Sequence, residues 1–460
     1  VETWGTAPYN MVEVTVRREG PIAQQDGAIQ MFFGPILGTR MVEASVKSVV
    51  ALSPGGGFRV EGGFLQWADI LPIAYDLPSW QQIVAGNGPD EYHYDEDTGH
   101  VFRPYTIRTV GGRAIAVVGQ AFPYTPIANP ARFIPDWTFG IRASELQELV
   151  DDIRSREKPD AVVLLSHNGM DVDLKLASQV RGIDAILGGH THDGMPLPVI
   201  VSNPAGKTIV TNAGSNGKFL GVLDLDFGDV GVRDFRYRLL PVFANLLEPD
   251  PAMSEYIVDV RKPWLEKLNE PLAVAGAVLY RRGNFNGTFD QVICDAQRVI
   301  GDSQIALSPG FRWGTTVLPG DTVTMERVLD QTCITYPETY VTDMTGEQIK
   351  LILEDVCDNL FNPDPFYQQG GDMVRVGGLN YTCAPLAGAG ERISEMTLDD
   401  GTTIEPNRTY RVAGWARVGS QAPGPPIWEV VASYLREVGT VRVDKLNTPL
   451  LKGVAKNPGI

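Results

Sequence analysis

Between residue 101 and about residue 245 the chain alternates short apolar runs with amphipathic stretches. Ala114-Ile115-Ala116-Val117-Val118, closed off by Gly112 and Gly119, reads as a buried strand. Over 142–157, Leu146, Leu149, Val150 and Ile153 recur at helical spacing with charge on the opposite face. Ala161 to Leu165 reads as a second buried strand. A short helix follows over 172–180, with Leu174, Ala177 and Val180 in register, and then a third strand from Ile183 to Leu187. Strands and helices in this order predict a layered α/β domain.

The pattern breaks at Glu248-Pro249-Asp250-Pro251, which opens a predicted helix running to about Leu268. Proline suits the first turn of a helix and Asp250 suits its cap. A second α/β region follows, with a helix from Gly346 to Leu360 and a Gly-rich stretch from Gln368 to Gly378. Residues 1–95 read differently, because glycines at 55–57 and 62–63 interrupt any apolar period. The expected organisation is an unassigned segment over 1–95, an α/β domain over 96–248, a linking helix over 249–271 and a second α/β domain over 272–460.

The net charge of −17 argues against a general nucleic-acid binder, which needs a basic surface to displace counterions. It fits a soluble monomer. An anionic substrate would then need a locally positive site, made by metal ions or buried arginine. No apolar run reaches the roughly 18 residues that span a bilayer, so no membrane insertion is expected. No signal peptide is visible. Cys294, Cys333, Cys357 and Cys383 stand 39, 24 and 26 residues apart with no CxxC pair, which disfavours a cysteine zinc site. Buried thiols are the default reading, with disulfides open if the protein is exported.

The histidines change the picture. There are five, and His167, His190 and His192 fall within 26 residues of one another. Each follows a buried apolar run, in Leu164-Leu165-Ser166-His167-Asn168-Gly169 and in Leu187-Gly188-Gly189-His190-Thr191-His192. They therefore sit at the carboxyl ends of predicted strands, the edge where open α/β sheets bind ligands. In an extended chain His190 and His192 point to the same side. Neutral imidazoles suit zinc, manganese or iron, with Asp193 or a backbone carbonyl available to orient the rings. His93 and His100 lie in an acidic polar stretch and read as a solvated loop.

The pairing of SHNG with GGHTHDG resembles the end of the calcineurin-like metallophosphoesterase pattern, in its 5′-nucleotidase branch. Longer segments resemble the SoxB thiosulfohydrolase family: VVGQAFPYTPIANP, LYRRGNFNGTFD, IALSPGFRWGTTVLPG, CITYPETY and FNPDPFYQQGGDMVRVGGL. The resemblance spans about residues 100 to 445. It implies a layered metallophosphoesterase-type domain, then a 5′-nucleotidase C-terminal-type domain. It also implies two divalent metal ions, a manganese pair, with His167 and His190 on the second and His192 on the first. Arg312 matches the position that holds an anionic substrate group, Arg375 in the Gly371 to Gly378 loop is a second candidate for it, and Tyr336 and Asn168 are further substrate-binding candidates. The implied reaction is metal-dependent hydrolysis of a cysteine S-thiosulfonate on a SoxYZ-type carrier, releasing sulfate in the periplasm. A 5′-nucleotidase or 2′,3′-cyclic-nucleotide phosphodiesterase is the alternative enzyme, and a non-catalytic carrier-binding homologue is the third reading.

The sequence departs from this family upstream. The family's Asp-x-His, its Gly-Asp and its third ligand motif do not occur before His167. Three explanations stay open: a disrupted reading frame over 1–95, a missing start, or a degenerate homologue. The first is expected, because agreement begins abruptly near residue 100. No residue is assigned as the catalytic acid or base.

Overall fold

The computed structural model of the chain describes residues 104–131, 134, 137–229, 231–243, 246–311, 314–369, 371–419 and 422–454. Before these it describes only the backbone of four strands: β1 (Asn10–Arg17), β2 (Ile29–Gln30), β3 (Met41–Val42) and β4 (Ser45–Leu52). β1 pairs antiparallel with β4, and β2 with β3. His93 and His100 lie outside the described residues. The chain divides into two compact units. Among the described residues after 103, the first unit holds 104–125 and 137–255; the second holds 126–131, 134 and 256–454.

The first unit is built on a six-stranded sheet of order β5-β6-β7-β8-β10-β9. Its strands are β5 (Tyr105–Val110), β6 (Arg113–Gln120), β7 (Ala161–Ser166), β8 (Ala185–Gly188), β9 (Val199–Asn203) and β10 (Gly206–Asn212). β6, β7, β8 and β10 run parallel, and β5 and β9 close the edges antiparallel. A parallel sheet is covered on both faces, which is why β7 reads as an unbroken apolar run instead of alternating. A hairpin of β11 (Phe219–Phe227) and β12 (Val232–Pro241) completes the described part of this unit.

After the single turn α1 (Thr125–Ala128), helix α2 (Ala143–Arg156) carries the chain between β6 and β7. It buries Leu146, Val150 and Ile153 of the stripe predicted from spacing and leaves Leu149 half-buried. Helix α3 (Met170–Gln179) joins β7 to β8 and starts two residues earlier than its apolar period shows. Gly169, at φ 102°, makes the turn, and the first turn carries Asp171 and the buried Asp173. β8 starts at Ala185 rather than Ile183. The register pairs Gln120 with Ser166 and Leu165 with Leu187, so the carboxyl ends of β6, β7 and β8 open on one edge.

The second unit is also α/β. Helix α4 (Pro251–Arg261) begins in the first unit and ends in the second; Asp250 caps it, its Oδ1 accepting from the Met253 amide at 2.8 Å. The sequence predicts one helix as far as Leu268. The structure instead turns through a 3₁₀ segment, Lys262–Trp264, before α5 (Leu265–Leu268). Pro263 accounts for the break: it lacks an N–H, and its ring clashes with the preceding turn.

Three small sheets follow. The four-stranded one has order β16-β20-β14-β17, from β14 (Ile305–Ser308), β16 (Thr339–Thr345), β17 (Arg375–Gly377) and β20 (Thr409–Trp415). A second orders β15 (Thr322–Thr324), β13 (Pro271–Ala275) and β21 (Thr440–Val441). The third orders β19 (Ile393–Leu398), β18 (Leu379–Cys383) and β22 (Leu450–Leu451).

Helices α6 (Thr288–Ile300), α7 (Met325–Thr332), α8 (Gly346–Phe361) and α9 (Ile427–Val438) lie among these sheets. The start of α8 is written in Thr345-Gly346-Glu347-Gln348, a capping box in which Thr345 and Gln348 satisfy each other's amides. One apolar core gathers Phe289, Ile293, Val328, Trp428 and Val431. The other gathers Ile349, Leu353, Met373, Tyr381 and Tyr410. All four cysteines are buried free thiols. No helix among the described residues is long and apolar enough to cross a membrane.

Candidate active site

A polar network beneath the first histidine holds the end of β7 in place. The His167 amide donates to the Gln120 carbonyl at 3.0 Å, extending the β6–β7 ladder by one bond. Asp173 Oδ1 accepts from Ser166 Oγ at 2.6 Å and from Asn168 Nδ2 at 3.2 Å. Asn168 Nδ2 also donates to Gln120 Oε1 at 3.0 Å, and the Asn168 amide donates to Ser166 Oγ at 3.1 Å. Ser166, Asn168 and Asp173 are all buried. The two residues flanking His167 are thus tied to one carboxyl group, which fixes where its imidazole leaves the strand.

Burial pushes Asp173 up to about 7 from an ordinary 3.8, against the lowering effect of its bonds from Ser166 and Asn168. Between pH 4 and 7, roughly, the folded protein therefore holds a proton that the unfolded chain has released. The stabilisation from this group is fully present below that window and is lost as pH rises through it. Asp173→Asn removes the titration. The unfolding midpoint of the parent should therefore fall relative to the variant between about pH 4.5 and 7.5. Midpoints whose difference stays constant over that range would sink this account.

His190 and His192 depart from the extended geometry expected of them. Both adopt left-handed backbone, at φ 71° and 62°. Non-glycine residues there are uncommon, and two in one short loop concentrate strain where a functional loop would hold it. The reason is local: the chain must reverse after β8, and the Gly214 amide donates to the Asp193 carbonyl at 2.7 Å to close that reversal. The Asp193 carboxylate accepts from Thr191 Oγ1 at 2.5 Å. Thr191 Oγ1 in turn accepts from the Met170 amide at 3.1 Å, anchoring the histidine loop to the start of α3.

The loop brings two of the three histidines together. The His167 and His190 rings meet edge to face with centroids 5.2 Å apart. Phe122, just past the end of β6, stacks on His190 at 4.0 Å and stands edge-on to His167 at 6.3 Å. Sequence reasoning missed Phe122 as a site residue. The available signal was its place two residues beyond a strand that ends on the same edge as His167.

Gly189 makes room for this corner, since a Cβ there would stand 3.0 Å from His167 Nδ1. Gly189→Ala is expected to cost about 1–3 kcal/mol by overpacking. It should also move the His167 imidazole resonance, which an HSQC of the side chains can follow. An unmoved resonance would contradict the close approach.

Burial lowers the affinity of His167 for a proton, so at neutral pH the imidazole keeps a lone pair for a ligand. Burial first, and the Asp193 charge second, raise Asp171 nearby. The corner suits one side of a divalent ion. However, no group of three His, Cys, Asp or Glu side chains converges as a metal site among the described residues. His192 is not part of any such group, so a complete centre needs donors from elsewhere.

In the second unit, Arg312 lies outside the described residues. Arg375 is fully buried, with Nη2 donating to Asp372 Oδ2 at 2.7 Å and to the Gly283 carbonyl at 2.9 Å. Its Nε stands 3.5 Å from Asp290 Oδ2, and its Nη1 has no hydrogen-bond partner among the described residues. Arg281, which sequence reasoning did not single out, is also fully buried and donates from Nε to Asp290 Oδ1 at 2.6 Å. Two guanidinium groups therefore share the Asp290 carboxylate in a dry interior. Tyr336 belongs to a core cluster, and its hydroxyl donates to the Ala128 carbonyl at 2.5 Å. Burial pushes that hydroxyl up to about 12. The structure thus places Arg375 and Tyr336 in the interior, not on an open face.

A parallel sheet with histidine loops on its carboxyl edge, followed by a second α/β unit, defines a two-unit α/β protein of the 5′-nucleotidase fold class. Residues 272–423 match the 5′-nucleotidase, C-terminal domain family. The chain is similar to the sulfate thiohydrolase SoxB of Thermus thermophilus at 39% identity, with a TM-score of 0.73 over 81% of this chain and 70% of that one. The chain belongs to the SoxB/5′-nucleotidase family.

A 5′-nucleotidase precursor, also from Thermus thermophilus, shares the fold at 21% identity and a TM-score of 0.65, over 79% of this chain and 77% of that one. The trifunctional nucleotide phosphoesterase protein YfkN of Bacillus subtilis is 30% identical over 370 residues, which is 76% of this chain and 24% of that protein. The chain spans about a quarter of the length of the first curated relatives it matches.

Proposed function

We propose that the chain is a SoxB-type thiosulfohydrolase. Its substrate is a cysteine S-thiosulfonate on a SoxYZ-type carrier, its products are sulfate and a carrier persulfide, and it works in the periplasm. The observation that carries this reading is the His167–His190 corner on the carboxyl edge of β7 and β8, in a chain similar to SoxB at 39% identity. Water oxygen bonds to the terminal sulfonate sulfur, the sulfur–sulfur bond breaks, and the persulfide leaves with the electron pair.

His167 and His190 would hold one of two divalent ions, manganese on this reading, with His192 directed to the other and remaining donors from outside the described residues. Such ions, when bound, supply Lewis acidity that acidifies water and offsets sulfonate charge. The chain's own residues do the positioning. Asp173 and Gln120 fix the path of His167, and Phe122 fixes the plane of His190. Arg312 is the candidate for the anionic group of the substrate, by bidentate hydrogen bonding. Asn168, whose Oδ1 is buried and without a hydrogen-bond partner among the described residues, is a further candidate for substrate.

Nucleotide hydrolysis is the second reading, favoured by the match of residues 272–423 and by the similarity to a nucleotide phosphoesterase. Sulfate release from a thiosulfonate-loaded carrier and phosphate release from AMP and 2′,3′-cyclic AMP, measured side by side, separate the two. Sulfate release alone is expected, and turnover of nucleotide alone would overturn the proposal. If neither is turned over while the carrier still binds, the chain is a non-catalytic carrier-binding homologue.

A further inference from the structure

We propose that Cys357 and Cys383 form an intramolecular disulfide that staples helix α8 to strand β18. Their sulfurs lie 3.6 Å apart, and both residues are fully buried. Among the described residues this is the one sulfur–sulfur contact; Cys294 and Cys333 are free thiols elsewhere in the second unit. Cys357 lies in the later half of α8, and Cys383 is the last residue of β18. Both belong to the core formed by Ile349, Leu353, Tyr381 and Ile393. A bonded pair needs about 2.05 Å between sulfurs, so the gap to close is about 1.5 Å, within the reach of small side-chain rotations.

Proximity favours exchange at this pair over the other thiols. The Cys357 thiol and the Cys383 sulfur share one hydrogen bond, which raises Cys357 and lowers Cys383. Arg392 stands beside them as a positive charge, tied by Nη1 to Asp358 Oδ1 at 2.5 Å. Cys294 is fully buried as well, beside Asp290 and Asp295, and burial pushes its thiol well up, but no second sulfur stands within reach of it among the described residues. A thiolate is the attacking species, and the 3.6 Å approach makes each sulfur the resolving partner of the other once a mixed disulfide has formed.

The step balances with a low-molecular-weight or protein disulfide as oxidant. One cysteine thiolate attacks the donor, forming a mixed disulfide and releasing one donor thiol. The second cysteine thiolate attacks the mixed disulfide, forming the Cys357–Cys383 bond and releasing the other donor thiol. Two protein thiols are oxidised and one donor disulfide is reduced, with two protons carried by the released thiols. Because both sulfurs are buried in the folded unit, the bond forms while α8 is still docking. This inference does not depend on the substrate assigned above, since it concerns the second unit's core alone.

The full chain is to be refolded with reduced and oxidised glutathione, or with a phosphine reductant, and then alkylated in denaturant. Oxidative refolding should protect two of the four cysteines, and a non-reducing peptide map should join the Cys357 and Cys383 peptides. Four alkylated cysteines, a bond to Cys294 or Cys333, or a bond between chains would overturn the proposal. The bond closes a loop of 26 residues, so reducing the oxidised protein should lower its unfolding midpoint by about 5–10 °C. The double variant Cys357→Ala with Cys383→Val should show no response to reductant. A parent protein equally indifferent to reductant would also refute the staple.

Discussion

Asp290→Ala should destabilise the second unit by about 3–5 kcal/mol, the cost of leaving buried charge without its partner. Asp290 is fully buried, accepts hydrogen bonds from the Gly287 amide at 2.8 Å and from Arg281 Nε at 2.6 Å, and pairs by charge with the Arg375 guanidinium 3.5 Å away. Removing the carboxylate leaves Arg281 with only the Gln331 and Pro309 carbonyls, and Arg375 with only Asp372 and the Gly283 carbonyl. It also removes the side chain that holds the first turn of α6. Asp290→Asn keeps an acceptor for one arginine but no charge, and should fall between parent and alanine variant. Denaturant unfolding followed by the fluorescence of the buried Trp415 and Trp428 reports on this unit. A loss below about 1 kcal/mol for the alanine variant would show that water or the remaining acceptors replace Asp290.

His167→Ala or His190→Ala should each lower sulfate release by about 10³-fold, on the function proposed above. That corresponds to several kcal/mol of transition-state stabilisation by an ion the corner would hold. Manganese content of the purified variants should fall in parallel, which separates loss of the ion from loss of the carrier. Phe122→Ala leaves both imidazoles in place but frees the His190 ring. Its metal affinity should drop about 10- to 100-fold, as for other groups that orient ligands. Retention of more than a tenth of parental activity by both histidine variants would remove the corner from the reaction.

Much of the first unit was legible from local pattern. β7 is an apolar run because a central parallel strand is buried on both faces, and α2 shows its buried stripe because one face meets the sheet. Long-range placement was not legible. Helix α4 ends at Arg261, just before Pro263, a signal present in the sequence that the single helix expected to about Leu268 did not take into account. The left-handed backbone at His190 and His192 arises from closing a loop onto Gly214, 24 residues beyond His190. Arg375 reads as an anion-binding candidate in a Gly-rich stretch, yet its carboxylate partners come from α6 and from Asp372. No local pattern marks which arginine will be enclosed.

The sequence by itself determined the α/β class of both regions, the strand ends that carry His167, His190 and His192, and a family resemblance from about residue 100 onward. Those features depend on neighbours along the chain: apolar period, Gly-flanked turns and contiguous motifs. Tertiary structure alone decided that Phe122 lies against His190, that Asp173 ties down both neighbours of His167, and that Arg281 and Arg375 share Asp290. It also brought Cys357 to within 3.6 Å of Cys383. Each of these joins residues from different elements, and their energies depend on exclusion of water, which exists only once the sheets and helices have closed on one another.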